Sequence, residues 1–483
     1  MDRIIIGLDF GTHQTKICVQ STPDEGHGEP KYEFLEFPDL QGNKNYFLPS
    51  VIQINKDDTL SYGYVDDRRL KADPEKPVKE EAYLEDEFDV TEWTKKLYDK
   101  YSTDDNIPED MKVIEKMLKL RLQKIRIRNK ACINVAERRY EAQIKAQQDA
   151  KNIFRYFKQA TFIGGEWNIV TPISNRILCI WYLAYIIFLL EERYGMNFYI
   201  NMGVPTDETQ YDVKRRLAIE ILASAYYLVE DVYQNDVKEF LNEKVEALLQ
   251  KTVTKVYNKS LKEEYKMNIF PEAYANLTSL TSRGKLAPGM SLTADIGGGT
   301  TDISFFTIEN GLPMIYKYWS LPRGLNYVAK RSGFDYAEGN FINKARKDVI
   351  EKYNKQISEL INDLVADLCR KIKDETSIPV QNLRDALDNG ILVYSGGGST
   401  YSFLTEPIKP FTDIRTIEPS IWREENIKDK ETVSILSQLL TTAYGLSVCG
   451  KDEDVKLKSY STLFTHLPQK QEKEVQEISK DQC

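Results

Sequence analysis

Cysteine is sparse in this chain: six residues among 483, at Cys18, Cys132, Cys179, Cys369, Cys449 and Cys483. They are scattered, without metal-ligand spacing or the density of a disulfide framework. That points away from a zinc module or a small secreted scaffold and towards a reducing, cytoplasmic setting. Long apolar runs are missing as well. The strongest, Ile177 to Leu190, is too short for a bilayer and carries Trp181, Tyr182 and Tyr185, so it reads as a buried helix and no membrane span is expected. The first expected strand starts almost at Met1, so no secretion signal is expected. An excess of positive charge is lacking too. The net charge of −9 argues against broad nucleic-acid binding, though it is compatible with a local basic patch. What remains is the composition of a soluble globular protein, 41% apolar and 29% charged, on a chain long enough for two lobes.

Against that background three glycine-rich stretches stand out. Leu292 to Phe306 reads Leu-Thr-Ala-Asp-Ile-Gly-Gly-Gly-Thr-Thr-Asp-Ile-Ser-Phe-Phe. Two strands joined by so narrow a turn form a hairpin, and its glycines expose backbone N–H groups in a concave array suited to an anion. Asp295 would repel a bare phosphate, so its natural role beside one is to hold magnesium through water. A glycine-rich hairpin with no ligand is the plain alternative. Near the N-terminus Ile4-Ile5-Ile6-Gly7-Leu8-Asp9-Phe10-Gly11-Thr12, followed by Thr15-Lys16-Ile17-Cys18-Val19, repeats the plan of strand, aspartate, glycine, threonine, strand. At Ile391-Leu392-Val393-Tyr394-Ser395-Gly396-Gly397-Gly398-Ser399-Thr400-Tyr401 an apolar strand opens on glycines and is expected to enter a helix.

In order and spacing these stretches resemble the phosphate-one, phosphate-two and adenosine motifs of the actin, DnaK-type chaperone and sugar-kinase superfamily, nearest to the DnaK-type nucleotide-binding domain. The resemblance implies a two-lobed actin-like (ribonuclease H-like) α/β ATPase fold that holds ATP and Mg2+ between two hairpins. It assigns phosphate binding to Gly11 and to Gly297, Gly298 and Gly299, and magnesium orientation to Asp9 and Asp295. Thr12 and Thr300 would meet the γ-phosphate or the attacking water, and Glu272 would position that water. A helix N-terminal glutamate that only complements the dipole is the alternative for Glu272. Gly397, Gly398 and Ser399 would approach the nucleoside. Tyr401 stands where DnaK-type chains have an arginine and would lie against adenine. His13 replaces a second threonine of the first loop. For the family's catalytic lysine only Lys158 offers itself.

The same resemblance divides the chain. Lobe one spans 1–288 and lobe two 289–430. A helix at 431–450 returns to lobe one, and the charged tail 451–483 is expected to be disordered. Within lobe one, about 65–160 departs from the family as a helical insertion. Its segment 112–130 is basic, while Ile114, Leu118, Leu122 and Ile125 recur at helical spacing. Such a run would grip an acidic partner or nucleic acid, or simply face water. A helical stretch is expected to continue to about Gln159.

Three functions fit. One is an ATP-driven DnaK-like switch without a peptide-binding domain, working with a separate protein partner recognised by the insertion. Another is an actin-like filament former of partition or cytoskeletal type, whose second loop also reads Asp-Ile-Gly-Gly-Gly-Thr-Thr. The third is a small-molecule kinase, which is weakened by the complete Asp-x-Gly-Gly-Gly-Thr-x-Asp of the second loop.

Overall fold

The computed structural model describes residues 3–23, 29–71, 92, 95–96, 109–149, 152–163, 173–205, 211–256, 265–282, 291–334, 344–375, 391–400, 413–415, 430–450 and 455. The chain divides into two compact units. One comprises Met1–Leu70, Phe154–Ile169 and Ile173–Cys483; the other comprises Lys71–Ile153 and Val170–Pro172. Tyr401 and most of the tail lie outside the described residues.

The first unit is built on two sheets of one plan. In the first, β1 (Arg3–Phe10), β2 (Gln14–Thr22) and β3 (Lys31–Phe34) run antiparallel in succession. Two strands, β4 (Phe198–Val204) and β5 (Met267–Pro271), then add in parallel on the far side of β1, giving the order β5-β4-β1-β2-β3. The second sheet repeats this with β6 (Ser291–Ile296), β7 (Thr301–Glu309) and β8 (Leu312–Leu321) antiparallel, and β9 (Ile391–Ser395) and β10 (Asp413–Arg415) parallel beyond β6. This duplicated α/β arrangement is the actin-like fold class expected from the motifs. Strands β1 and β6 are buried along most of their length, as their apolar runs require of central strands.

Helices fix the position of the first hairpin. Helix α3 (Asn175–Tyr194) is buried nearly all round, and Trp181 Nε1 donates to Thr252 Oγ1 at 2.8 Å. Its Tyr182 stacks on Phe10 with ring centroids 5.6 Å apart and donates to Pro49 O at 3.0 Å. Helix α8 (Lys430–Val448) crosses β1 and helix α5 (Glu272–Thr281) at glycines. A β-carbon on Gly7 would lie 2.1 Å from Ala443 O, and one on Gly445 would lie 1.7 Å from Ala275 O. Asn201, buried on β4, donates to Leu446 O and Cys449 O at the end of α8.

One expectation changes. The helical run does not reach Gln159: α1 (Glu109–Asp149) ends earlier, and Asn152 and Tyr156 take left-handed φ values of 52° and 62° that no helix continues through. Lys158 and Gln159 belong instead to a separate short helix, α2 (Phe157–Phe162). The third glycine stretch enters a short 3₁₀ helix, Gly397–Thr400, and the residues that follow it lie outside the described ones. No described helix is long and apolar enough to cross a membrane.

The close crossing at Gly445 yields a test. Gly445→Ala should lower stability by about 1–3 kcal/mol or more, because backbone rather than a yielding side chain meets the new methyl group. Gly397→Ala, whose nearest new neighbour is 3.6 Å away, should change stability by less than about 0.5 kcal/mol. Equal denaturation midpoints for the two variants would contradict this packing.

Candidate functional site

The two hairpin tips are shaped by their own backbone. In the first, Asp9 pairs across the ladder with Lys16, Phe10 with Thr15, and Gly11 N donates to Asp9 O at 3.0 Å. Ser50 closes the turn from outside, donating from Oγ to Gly11 O at 2.7 Å and from N to His13 O at 3.0 Å. In the second, Asp295 pairs with Asp302 and Ile296 with Thr301, while Gly297 N donates to Thr300 O at 2.8 Å. The turn is anchored by helix α6 (Leu325–Arg331): Leu325 N and Asn326 N donate to the carbonyls of Gly297 and Gly298. Gly324, just before that helix, must be glycine, since a β-carbon there would lie 2.4 Å from Gly297 O.

Both tips line one cavity of about 410 Å³ within the first unit. Of the residues singled out from the sequence, Asp9, Gly11, Thr12, His13, Glu272, Asp295, Gly297, Gly298, Gly299, Thr300 and Gly397 are on its wall. The tips approach closely: a β-carbon on Gly298 would sit 3.4 Å from His13 Cβ. Gly398 and Ser399 stand back from the cavity. A β-carbon on Gly398 would lie 2.2 Å from Ile296 Cγ2, so this glycine packs against β6. Ser399 Oγ lies 2.7 Å from Gly396 O and 2.9 Å from Gln438 Oε1, which ties the third turn to α8.

Other wall residues carried little or no signal in the sequence. Lys16 Nζ donates to Asp9 Oδ2 at 2.8 Å. Burial opposes its charge, but Asp9, with Asp295 and Glu272 behind it, outweighs that and holds the ammonium above its ordinary pKa. Lys158, 3% exposed, donates to Glu272 Oε1 at 2.6 Å and lies 5.6 Å over the Phe10 ring. Gln159 Nε2 donates to Gly299 O at 2.9 Å, while its Oε1 is buried without a hydrogen-bond partner among the described residues. Gly396, at φ 78°, lies so close to β6 that a β-carbon would sit 2.2 Å from Asp295 Oδ1.

The electrostatics are those of carboxylates crowded out of water. Burial pushes Asp295 up to about 7, helped by the negative charges of Asp302, Glu272 and Asp9 and only partly relieved by Lys16. Burial also raises Asp302 to about 7, against the hydrogen bonds it accepts, including one from Thr300 Oγ1 at 2.9 Å. Among the described residues no group of three or more His, Cys, Asp or Glu side chains is placed to enclose a metal. The donor set does fit magnesium, which keeps several waters and takes one or two carboxylates together with phosphate oxygens. Asp9 and Asp295 would supply those carboxylates, and the glycine-lined tips have room for phosphate.

No family model matches the chain, and no curated protein matches it. Among similar solved structures is the archaeal actin homolog Ta0583 in complex with ADP. It shares 14% identity over 92% of this chain and 98% of its own, with a TM-score of 0.36. Another is a MamK double helical filament, at 14% identity over 90% of this chain and 98% of its own, with a TM-score of 0.37. The nearness to DnaK-type domains read from the motifs is not shown by these structures.

The Lys158–Glu272 pair can be tested directly. Removing either partner from a buried pair leaves a lone charge and typically costs about 3–5 kcal/mol. Lys158→Met should therefore destabilise the protein strongly. Lys158→Met with Glu272→Leu should cost less than the sum of the single changes, as measured by a denaturation double-mutant cycle. Strict additivity would mean that the two side chains do not interact.

Proposed function

We propose that this chain is an actin-like ATPase that binds Mg-ATP in the cavity between its two glycine hairpins and hydrolyses it slowly. The observation that carries this reading is the convergence of Asp9, Asp295, Glu272 and three glycine turns, taken from segments between Asp9 and Gly397, on one cavity wall. Backbone amides of Gly11 and Gly297–Gly299 would bind the phosphates, as exposed amides in tight turns do. Lys16 would hold Asp9 turned into the cavity. Lys158 fixes one oxygen of Glu272, holding that carboxylate where it would orient a water and accept its proton. Thr12 and Thr300 would donate to phosphate oxygens. Bound magnesium would neutralise phosphate charge and polarise the bond that breaks. Gly397 and Gly396 border the cavity where the third motif would meet the nucleoside, while Ser399 acts through the turn it braces. The nucleotide would work in a reducing cytoplasm, and a DnaK-like switch with a separate partner is one way to use it.

Filament formation is the other way, and we put it first. The named similar structures are of actin type and one is a filament, although at those TM-scores the likeness carries no argument by itself. Sedimentation decides: the pure protein should pellet with Mg-ATP and remain in the supernatant without nucleotide. No pelleting at any nucleotide state would return the DnaK-like switch to first place. The ATPase reading itself is tested by turnover. Asp295→Ala should lower the rate by about a hundredfold or more. Glu272→Gln should slow hydrolysis with ATP affinity changed by less than about threefold, and Gly298→Val should abolish binding. Wild-type affinity in Gly298→Val would refute phosphate binding at this turn.

A further inference from the structure

Among the described residues, seven of the twelve large apolar side chains that are exposed belong to α1, more than on any other described element. Four of them form a stripe. Val113, Met117, Leu120 and Ile127 follow one another at intervals of four, three and seven, which at about 100° per residue confines them to roughly 80° of arc. Met117 and Ile127 are 65% and 62% exposed. This stripe is not the packed face of the helix, because Ile125, on the other side, is 7% exposed and Leu118 and Leu122 are half-buried beside it. The helix thus has one apolar face in use and a second turned to water.

The edges of that second face are basic. Lys116 and Lys130 project along one margin and Arg121 and Arg128 along the other, with Lys124 within the stripe. From Lys112 to Lys130 there are eight basic side chains against one acidic, Glu115, on a chain whose net charge is −9. A second copy of the helix fits poorly against this face, since like charges would line both margins of such a pair. Nucleic acid would use the charges and leave the apolar stripe without a role. A bilayer surface uses both. Apolar side chains enter the headgroup boundary, flanking Lys and Arg meet anionic headgroups, and a lysine inside the stripe extends to the headgroups along its own methylenes. The stripe from Val113 to Ile127 also runs straight for roughly 20 Å, as a flat surface requires.

We propose that α1 is a peripheral docking helix for anionic lipid membranes, which it meets through Val113, Met117, Leu120 and Ile127. The full chain is tested by flotation with vesicles of phosphatidylcholine alone, or of about three parts phosphatidylcholine to one part phosphatidylglycerol. The expected result is flotation with the anionic vesicles only. Two variants divide the contributions: Met117→Gln with Leu120→Gln and Ile127→Gln, and Lys116→Glu with Arg121→Glu and Arg128→Glu. Each should reduce the bound fraction about tenfold or more while leaving ATP turnover at the wild-type level, which also shows that the fold survives. The proposal is overturned if the wild type does not float with anionic vesicles. It is equally overturned if the glutamine variant floats as well as the wild type, or if a DNA duplex or an acidic protein is bound and the vesicles are not.

Discussion

Two aspartates face each other across β6 and β7, and the site is arranged around the cost of withdrawing both carboxylates from water. Asp295 and Asp302 occupy directly opposed positions in the ladder, Asp302 buried and Asp295 half-buried on the cavity wall, and both are pushed up to about 7. Like charges so placed destabilise a sheet pair. The first hairpin holds the same position with Asp9 opposite Lys16, where the charges attract. Two hairpins of one plan therefore differ in sign at one position. Excess negative charge collects at the second tip, beside turns whose amides would favour an anion. A cation carried in with a phosphate chain satisfies both demands together, and this is the physical content of the Mg-ATP reading.

Much of this was legible in the sequence because it is local. An apolar run, an aspartate and a glycine turn lie within a dozen residues, and Asp9, Asp295 and the glycines of both hairpins fall on the cavity wall for that reason. The duplicated order of motifs likewise announced the duplicated sheet plan. Lys158 and Gln159 were harder to see. They reach Glu272 and Gly299 across 114 and 140 residues, so Lys158 offered itself only as the family's lysine, with nothing local to tie it to Glu272, and Gln159 gave no signal. The left-handed residues Asn152 and Tyr156, with the short strand Ile153–Phe154 between them, separate both from α1, and neither Asn nor Tyr is a strong breaker. Ser399 illustrates the reverse case. Its motif is conspicuous, but its hydroxyl is engaged by Gly396 and Gln438.

Glycine serves two purposes here that one letter does not distinguish. At Gly297 and Gly298 it lines the cavity, where it would open the turn to a ligand. At Gly7, Gly445 and Gly398 it lets backbone or side chain pack where a methyl group would collide. The second group couples the site to the rest of the unit, because α8 lies against β1, which carries Asp9, and against α5, which begins with Glu272. Movement of that helix would be felt at both carboxylates.

The central claim is that this cavity takes a phosphate chain together with its metal. Calorimetric titration of the wild-type protein with ATP, in magnesium and then in excess chelator, tests it most directly. The account predicts that ATP binds about tenfold more tightly or better with magnesium, a difference of about 1.4 kcal/mol or more. Equal affinity in the two conditions, or no binding in either, would contradict it.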